Sequence, residues 1–369
     1  MRIRLEARAQ PSRLMGYLSP LLAAILTVIA GFVLFSVLGK DPLNSFHTFF
    51  IHPIRDLNGL GELLQKASPL MIIAVGLACS YRANVWNIGA EGQLILGAIF
   101  AGGVALYFHE AESPLVLSLV LPLMLLAGMV GGMLWAAIPA LLRTRFNTNE
   151  ILVSLMLVYV AGLLLNWLVH EPWRDPDGFN FPQSRMFIDA ALYPMLIDGT
   201  RLNTGFLVSL AAVALGYILL NRSFLGYQMR VGGLAEGAAR YAGFKARRIV
   251  WTGMLLGGGA AGIAGMGEVA CPIGQLQPLV SPGYRFAAII VAFVGRLHPF
   301  GILLASLLMS LLYLGGEAAQ MGLALPSAIT GLFQGMLLFF LLGSDVFINY
   351  RLRAVRAPAV PPVAAEIGA

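Results

Sequence analysis

Residues 84–97 read NVWNIGAEGQLILG, which sets Asn87, Glu91 and Gln93 among Gly89, Gly92 and Gly97. Long apolar runs lie on both sides, and elsewhere the chain keeps most of its charge out of such runs. A carboxylate at the centre of a membrane helix costs about 2.5–3.5 kcal/mol, so Glu91 has to face protein, water or a partner. Two readings follow. In one, Asn87 caps a helix and Glu91 complements its N-terminal dipole. Their spacing of four residues, however, is not the three of a capping box. In the other, Asn87, Glu91 and Gln93 line a permeation path where a helix stops and restarts.

The rest of the chain sets the solvent for this stretch. Its 369 residues are 58% hydrophobic and only 11% charged, against about 25% charged in a soluble domain. That composition excludes an ordinary soluble enzyme and calls for lipid. The net charge of +6 comes from arginines clustered between apolar stretches, a pattern of membrane insertion rather than of nucleic-acid binding. Cys79 and Cys271 both sit in apolar segments, which argues against a disulfide framework or a cysteine metal site.

A bilayer core asks for about 20 apolar residues per helix. The hydropathy pattern predicts spans at 14–38, 63–80, 89–108, 114–142, 149–169, 204–220, 249–271, 284–295, 299–315 and 326–343. The first exceeds the apolar core of a signal peptide and has no small-residue cleavage site after it, so it reads as a retained span. Within the predicted spans, the apolar runs 67–80, 94–108 and 284–295 are short and bordered by glycine or polar groups. They predict broken helices facing protein or a cavity. Such segments in corresponding places of two halves point to a transport site, here NIGAEGQ and GYRFAAIIVAFVGR, although the internal similarity is weak.

Ten spans place both termini on one side. That side collects Arg2, Arg4, Arg8, Arg13, Arg82, Arg143, Arg145, Arg222, Arg230, Arg240, Lys245, Arg247, Arg248, Arg296, Arg351, Arg353 and Arg356, which is 17 of the 24 basic residues. Lys40, Arg55, Arg174, Arg185 and Arg201 fall on the other. The asymmetry predicts cytoplasmic termini. The fold class is therefore an all-α integral membrane protein of about ten transmembrane helices, some short or broken. Residues 1–350 read as one polytopic domain with an ordered external loop at 170–203 and a cytoplasmic loop at 221–248. Residues 351–369, rich in Ala, Pro and Val, read as a disordered tail.

Other polar groups carry simpler readings. Asn147 and Glu150 have capping-box spacing, and Glu268 and Glu317 end spans where they can snorkel to the interface. Gly253, Gly257, Ala261 and Gly265 recur every fourth residue with Gly258 and Gly262 beside them, a face that lets helices approach closely. In the cytoplasmic loop a short helix is predicted after Gly233 and before Gly243, with Glu236 and Arg240 paired four apart. Its alanines suit a groove on another protein. No catalytic set, metal-ligand spacing or Walker A pattern is present.

NIGAEGQLILGA, NTNEILVSLMLVYVA, RVGGLAEGAARYAGF and SPGYRFAAIIVAFVGRLHPFGILLAS occur in this order. The chain resembles ABC-importer permeases of the branched-chain amino acid, simple sugar and nucleoside group, most closely the nucleoside branch, over about residues 60–343. The resemblance implies a non-enzymatic permease subunit that binds no cofactor itself. ATP and Mg would sit on two copies of a partner ATPase, with a second permease subunit (a heterodimer) and an external substrate-binding lipoprotein. It implies that residues 230–243 form the coupling helix, carried by Arg230, Leu234, Ala235, Glu236, Ala238, Ala239, Arg240, Tyr241 and Gly243. Candidate pathway residues are Asn87, Glu91, Gln93, Asn149, Glu150, Tyr284, Arg285 and Phe286. Arg285 stands where the family often has glycine, and Leu157-Val158-Tyr159 lacks the asparagine common there. An ABC permease for simple sugars, an ion-coupled transporter using Glu91 and a non-transporting scaffold are the alternatives.

Overall fold

The computed structural model describes residues 2–8, 10, 12–281 and 283–355. Among them nine helices are long and apolar enough to cross a membrane. Unpaired backbone groups are intolerable in lipid, and a helix satisfies them within itself. In chain order the main elements are β1 (Arg2–Ala7), α1 (Arg13–Val37), α2 (Leu57–Arg82), α3 (Ala90–Tyr107), α4 (Pro114–Phe146), α5 (Glu150–His170), α6 (Gly205–Tyr217), α7 (Phe224–Leu234), α8 (Glu236–Tyr241), α9 (Ala246–Glu268), α10 (Tyr284–Val294), α11 (Pro299–Leu323), α12 (Ala328–Asn349) and β2 (Tyr350–Val355). Every predicted span coincides with one of these helices. The tenth, α10, has only 11 residues.

Two of the three helices expected to be broken are continuous. The 26 residues of α2 include Gly61, Lys66 and Pro69, and α3 runs unbroken for 18. A glycine costs a helix interior only about 1 kcal/mol, far less than exposing backbone to lipid. Short apolar runs therefore mark polar helix ends here, and only α10 remains short.

The chain divides into two compact units, residues 43–330 and residues 1–42 with 331–369. In the smaller unit β1 and β2 pair antiparallel, with Arg4 opposite Arg353 and Glu6 opposite Arg351. Ser12 caps α1 by accepting from the Met15 N–H at 3.3 Å, and the Phe35 and Phe333 rings meet at 5.7 Å. The first five residues of the expected disordered tail, 351–355, are thus strand. Residues 356–369 lie outside the described residues.

The larger unit is built around α2 and α9, which run antiparallel and pack with α3 and α4. From Ala67 to Tyr81 every residue of α2 is buried. Glycines set the spacing of α9: a Cβ on Gly262 would lie 2.1 Å from the Gly128 carbonyl oxygen, and one on Gly265 would lie 2.0 Å from that of Leu94. The repeated small residues are thus a packing face, as membrane helices without a hydrophobic drive between them require.

The segment between α5 and α6 is ordered by backbone pairing with the chain after α9. The N–H groups of Ser184, Phe187 and Tyr193 donate to the carbonyls of Leu276, Gly274 and Ala270 at 2.9, 2.8 and 3.1 Å. Tyr193 is 5% exposed, and burial raises its phenol to about 12.

Candidate functional site

α2 has two polar ends, at Glu62–Lys66 and at Ser80–Arg82, about 25 Å apart along the helix at 1.5 Å per residue. The stretch 84–97 belongs to the second end. After α2 stops at Arg82, a seven-residue turn leads to α3, whose N-cap is Gly89 with no side-chain bond. Asn87 does not cap α3 in the ordinary sense. Its Nδ2 donates to Gln93 Oε1 at 2.8 Å while Gln93 Nε2 donates back to Asn87 Oδ1 at 3.0 Å. That Oδ1 also accepts from the Gly89 N–H at 3.2 Å. Asn87 is 0% and Gln93 1% exposed, so the two amides satisfy each other in a place where an unbonded amide would cost several kcal/mol.

Neighbours close the turn further. The Tyr81 hydroxyl donates to the Asn87 carbonyl at 3.2 Å, and Ser80 donates to the Gly253 carbonyl at 2.7 Å. Gly257 is needed opposite them, since its Cβ would lie 2.8 Å from Ser80 Oγ and 2.9 Å from Asn87 Nδ2. Ile88 N–H donates to Ser154 Oγ at 3.3 Å. Glu91, partly buried, stands in the first turn of α3.

Asn149, and not Asn147, takes the capping position ahead of Glu150. Asn149 is the N-cap of α5, accepting from the Ile151 N–H at 2.9 Å, whereas Asn147 ends α4 in the left-handed region at φ 52. The loop between the helices has only two residues, 147 and 148, before that cap, so the capping box has no room. Glu150 pairs instead with Arg143 and accepts from the Trp86 N–H.

On the same side, α7 and α8 form the segment read as a coupling loop. The single helix expected over 230–243 breaks at Ala235, whose φ of −150 is extended. Gly233 precedes α8 by three residues, as expected, but it lies inside α7, where its Cβ would come 2.1 Å from the Arg82 carbonyl oxygen. Arg82 in turn donates to the Leu220 carbonyl and Asn221 Oδ1, both at 3.2 Å. Gly243 ends the segment at φ 80 as expected. In α8, Glu236 and Arg240 pair at 3.1 Å, Ala239 is buried, and Tyr241 is 97% exposed. Arg230, Leu234, Ala235 and Ala238 are exposed. A cavity of about 760 Å³ opens beside α8, lined by Arg143, Asn147, Gly233, Glu236, Arg240 and Lys245 among others.

The other end of α2 is different. There a cavity of about 280 Å³ is lined by Glu62, Gln65, Lys66, Arg201, Glu268 and Tyr284. Arg201 reaches Glu62 at 3.5 Å, Lys66 pairs with Glu317, and the Tyr284 hydroxyl donates to Glu268. Glu268 is 8% and Tyr284 5% exposed. Glu268 therefore does not snorkel: α9 ends with its carboxylate turned inward, and the loop pairing described above covers that end. Glu317 stays half exposed at its ion pair. A crevice of about 30 Å³, lined by Gln65, Asn203, Glu268 and Cys271, leads on from the cavity between α2 and α9.

α10 joins the two ends. Tyr284 opens it in the cavity, and Phe293 near its C-terminus stacks on Tyr81 at 5.4 Å and on Trp86 at 6.2 Å. Phe286 is 55% exposed, and the side chain of Arg285 lies outside the described residues. Of the candidate pathway residues whose side chains are described, the structure brings Tyr284 to the cavity. Asn87, Gln93, Asn149 and Glu150 gather around the turn at the opposite end. Sequence reasoning missed Glu62, Gln65, Lys66 and Arg201. The Glu62–Lys66 spacing of four, ahead of a buried run, was the signal that places them on one helix face. Val158, at the position lacking asparagine, packs on α3: its Cα would be 3.0 Å from a Cβ on Gly92.

Membrane-length helices around a charged cavity and a protruding short helix define a multi-pass membrane permease. Residues 59–342 match the family described as branched-chain amino acid transport system / permease component, and the chain belongs to that family. It is 34% identical to the glucose ABC transporter permease protein TsgB13 of Haloferax volcanii, over 95% of this chain and 93% of the relative. Two further relatives are each 27% identical. The nucleoside ABC transporter permease protein NupB of Lactococcus lactis aligns over 88% of this chain and 90% of its own. The guanosine ABC transporter permease protein NupP of Bacillus subtilis aligns over 90% and 94%.

Proposed function

We propose that this permease is the membrane-spanning half of an ATP-driven importer for nucleosides or simple sugars. In this reading it lies in the cytoplasmic (plasma) membrane with both termini inside. The α7–α8 segment faces the cytoplasm, where α8 seats in a groove on a separate ATPase that holds ATP and Mg. The 170–203 segment faces outward and receives solute from a binding lipoprotein, and a second permease subunit completes the path. The single observation that carries the reading is α8: a six-residue helix with Tyr241 almost wholly exposed at its end. A helix of that shape suits docking on a protein better than burial in lipid.

The mechanism follows from the connections of α8. ATP-driven closure of the ATPase pair would move α8, and α7 bears on the Arg82 carbonyl at the foot of α2. α2 carries Glu62 and Lys66 at its far end, and α10 links the same two ends, so displacement at the foot reaches the cavity. Such coupling requires different solute affinity in the two states. Asn87 and Gln93 act here as the rigid joint of that lever, and Tyr284 as the pathway contact.

The deciding experiment is uptake by proteoliposomes holding the permease with its ATPase, second permease and binding protein. Labelled guanosine or glucose should accumulate only when ATP is enclosed on the ATPase side. Uptake driven by a proton gradient without ATP would overturn the reading in favour of ion coupling.

A further inference from the structure

We propose that the cavity bounded by α2, α9 and α10 binds the vicinal diol of a sugar ring, with Glu268 and Glu62 accepting from its hydroxyls. This rests on the reading of the chain as a solute permease and names the site and the chemistry it recognises.

Charge is the first ground. Two carboxylates, Glu62 and Glu268, and two cations, Lys66 and Arg201, line the space. Acidic and basic side chains set side by side offer both halves of what a hydroxyl needs. Each hydroxyl donates one proton and accepts through its lone pairs, so a diol calls for acceptors and donors side by side. A carboxyl group presents acceptor oxygens to a hydroxyl whether or not it carries its proton. Lys66, Arg201 and Gln65 supply the donors.

Shape is the second ground. Ile273, Leu279 and Val280 form the remaining wall, an apolar surface against which the C–H face of a ring can lie. The volume of about 280 Å³ lies just below the range of about 300–1,000 Å³ typical of sites for drug-sized molecules. The crevice beyond, at about 30 Å³, admits no more than water. A solute would therefore stop in the cavity with Glu268 at the constriction. Glu268 and Tyr284 are both nearly buried, and their contact holds the carboxylate toward the space.

A free hexose and the ribose of a nucleoside both present this diol. The test uses the assembled complex and the native Cys271, which lies at the crevice and is partly exposed, while Cys79 is buried. Alkylation of Cys271 is timed with guanosine, 2′-deoxyguanosine or glucose present. Guanosine, glucose or both should slow it several-fold, identifying the source of the diol, and 2′-deoxyguanosine should not. Equal protection by guanosine and 2′-deoxyguanosine, or none by any solute, overturns the proposal. Uptake provides the second arm. Glu268→Gln and Tyr284→Phe should each lower the uptake rate by about tenfold, because the site's buried polar groups lose their match to the hydroxyls. The exposed Glu110→Gln should leave it unchanged. Wild-type uptake of neither solute would sink the reading under Proposed function. Wild-type uptake with unaltered Glu268→Gln and Tyr284→Phe rates would sink the cavity alone.

Discussion

The two ends of α2 use the same kinds of residue for opposite purposes. At the Ser80–Arg82 end, amides, hydroxyls and a guanidinium are bonded to one another or to backbone across five elements, and glycine removes any slack between them. At the Glu62–Lys66 end, the polar groups ring a space. A polar residue at membrane depth is thus no site by virtue of polarity. Groups are paired at both ends; what matters is whether the pairs pack against one another without a gap or leave room between them for a solute.

The largest effect is expected from bulk on the glycine face of α9 that runs between the two ends. Gly262→Val places its first carbon on the Gly128 carbonyl oxygen at 2.1 Å, a backbone atom on a crossing helix that cannot rotate away. Overpacking costs about 1–3 kcal/mol where side chains can adjust, and more is expected here. Purification should recover little or no monodisperse protein.

Next in size is the amide pair. Asn87→Ala strands a buried Gln93 and should cost about 1–3 kcal/mol, read as a fall in thermal stability of the purified protein. Changing both Asn87 and Gln93 to leucine removes donor and acceptor together and should recover most of the loss. If the double variant is as damaged as the sum of the singles, the amides are not each other's principal partners, and the closed end is less closed than described.

Much of this was legible in the sequence, for a physical reason. Lipid allows little but helix, so hydropathy alone located the nine membrane-length helices and, as a tenth, the short α10, and the glycine stripe of α9 read correctly as packing. Side-chain partnership was not legible. Asn87 and Gln93 looked like pathway groups because their pairing depends on a turn whose path is fixed by Ser154, Tyr81 and Gly257, far apart in the chain. Glu268 looked like a snorkelling end residue because the 184–193 backbone covers that end of α9, and pairing between distant loops leaves no periodic trace. Helix breaks were over-predicted at glycines that lipid holds helical.

A smaller effect separates the ends again. Arg201→Ala breaks an ion pair whose side chains are 72% and 36% exposed, and exposed pairs contribute about 0–1 kcal/mol. Thermal stability should therefore barely change, while uptake falls if the cavity holds solute. Arg143→Ala, by contrast, removes the partner of Glu150, whose side chain is 14% exposed, and should cost more, since a stranded buried charge is expensive. If the two arginines prove equally dispensable for stability, the distinction between a closed and an open end of α2 fails.

The smallest stability change belongs to α8, and it is the most informative about coupling. Glu236 and Arg240 are 66% and 79% exposed, and an exposed pair four residues apart on a helix contributes about 0.2–0.5 kcal/mol. The Tyr241 ring meets almost nothing in this chain. Arg240→Ala with Tyr241→Ala should therefore leave the melting temperature of the isolated subunit within error of wild type. Their loss should still uncouple ATP hydrolysis from uptake in the complete transporter, because residues that do nothing for the fold and everything for a contact surface have no other use. A stable double variant with full ATP-driven uptake would show that α8 is not the lever's handle, and would leave the rigid foot of α2 without a known source of motion.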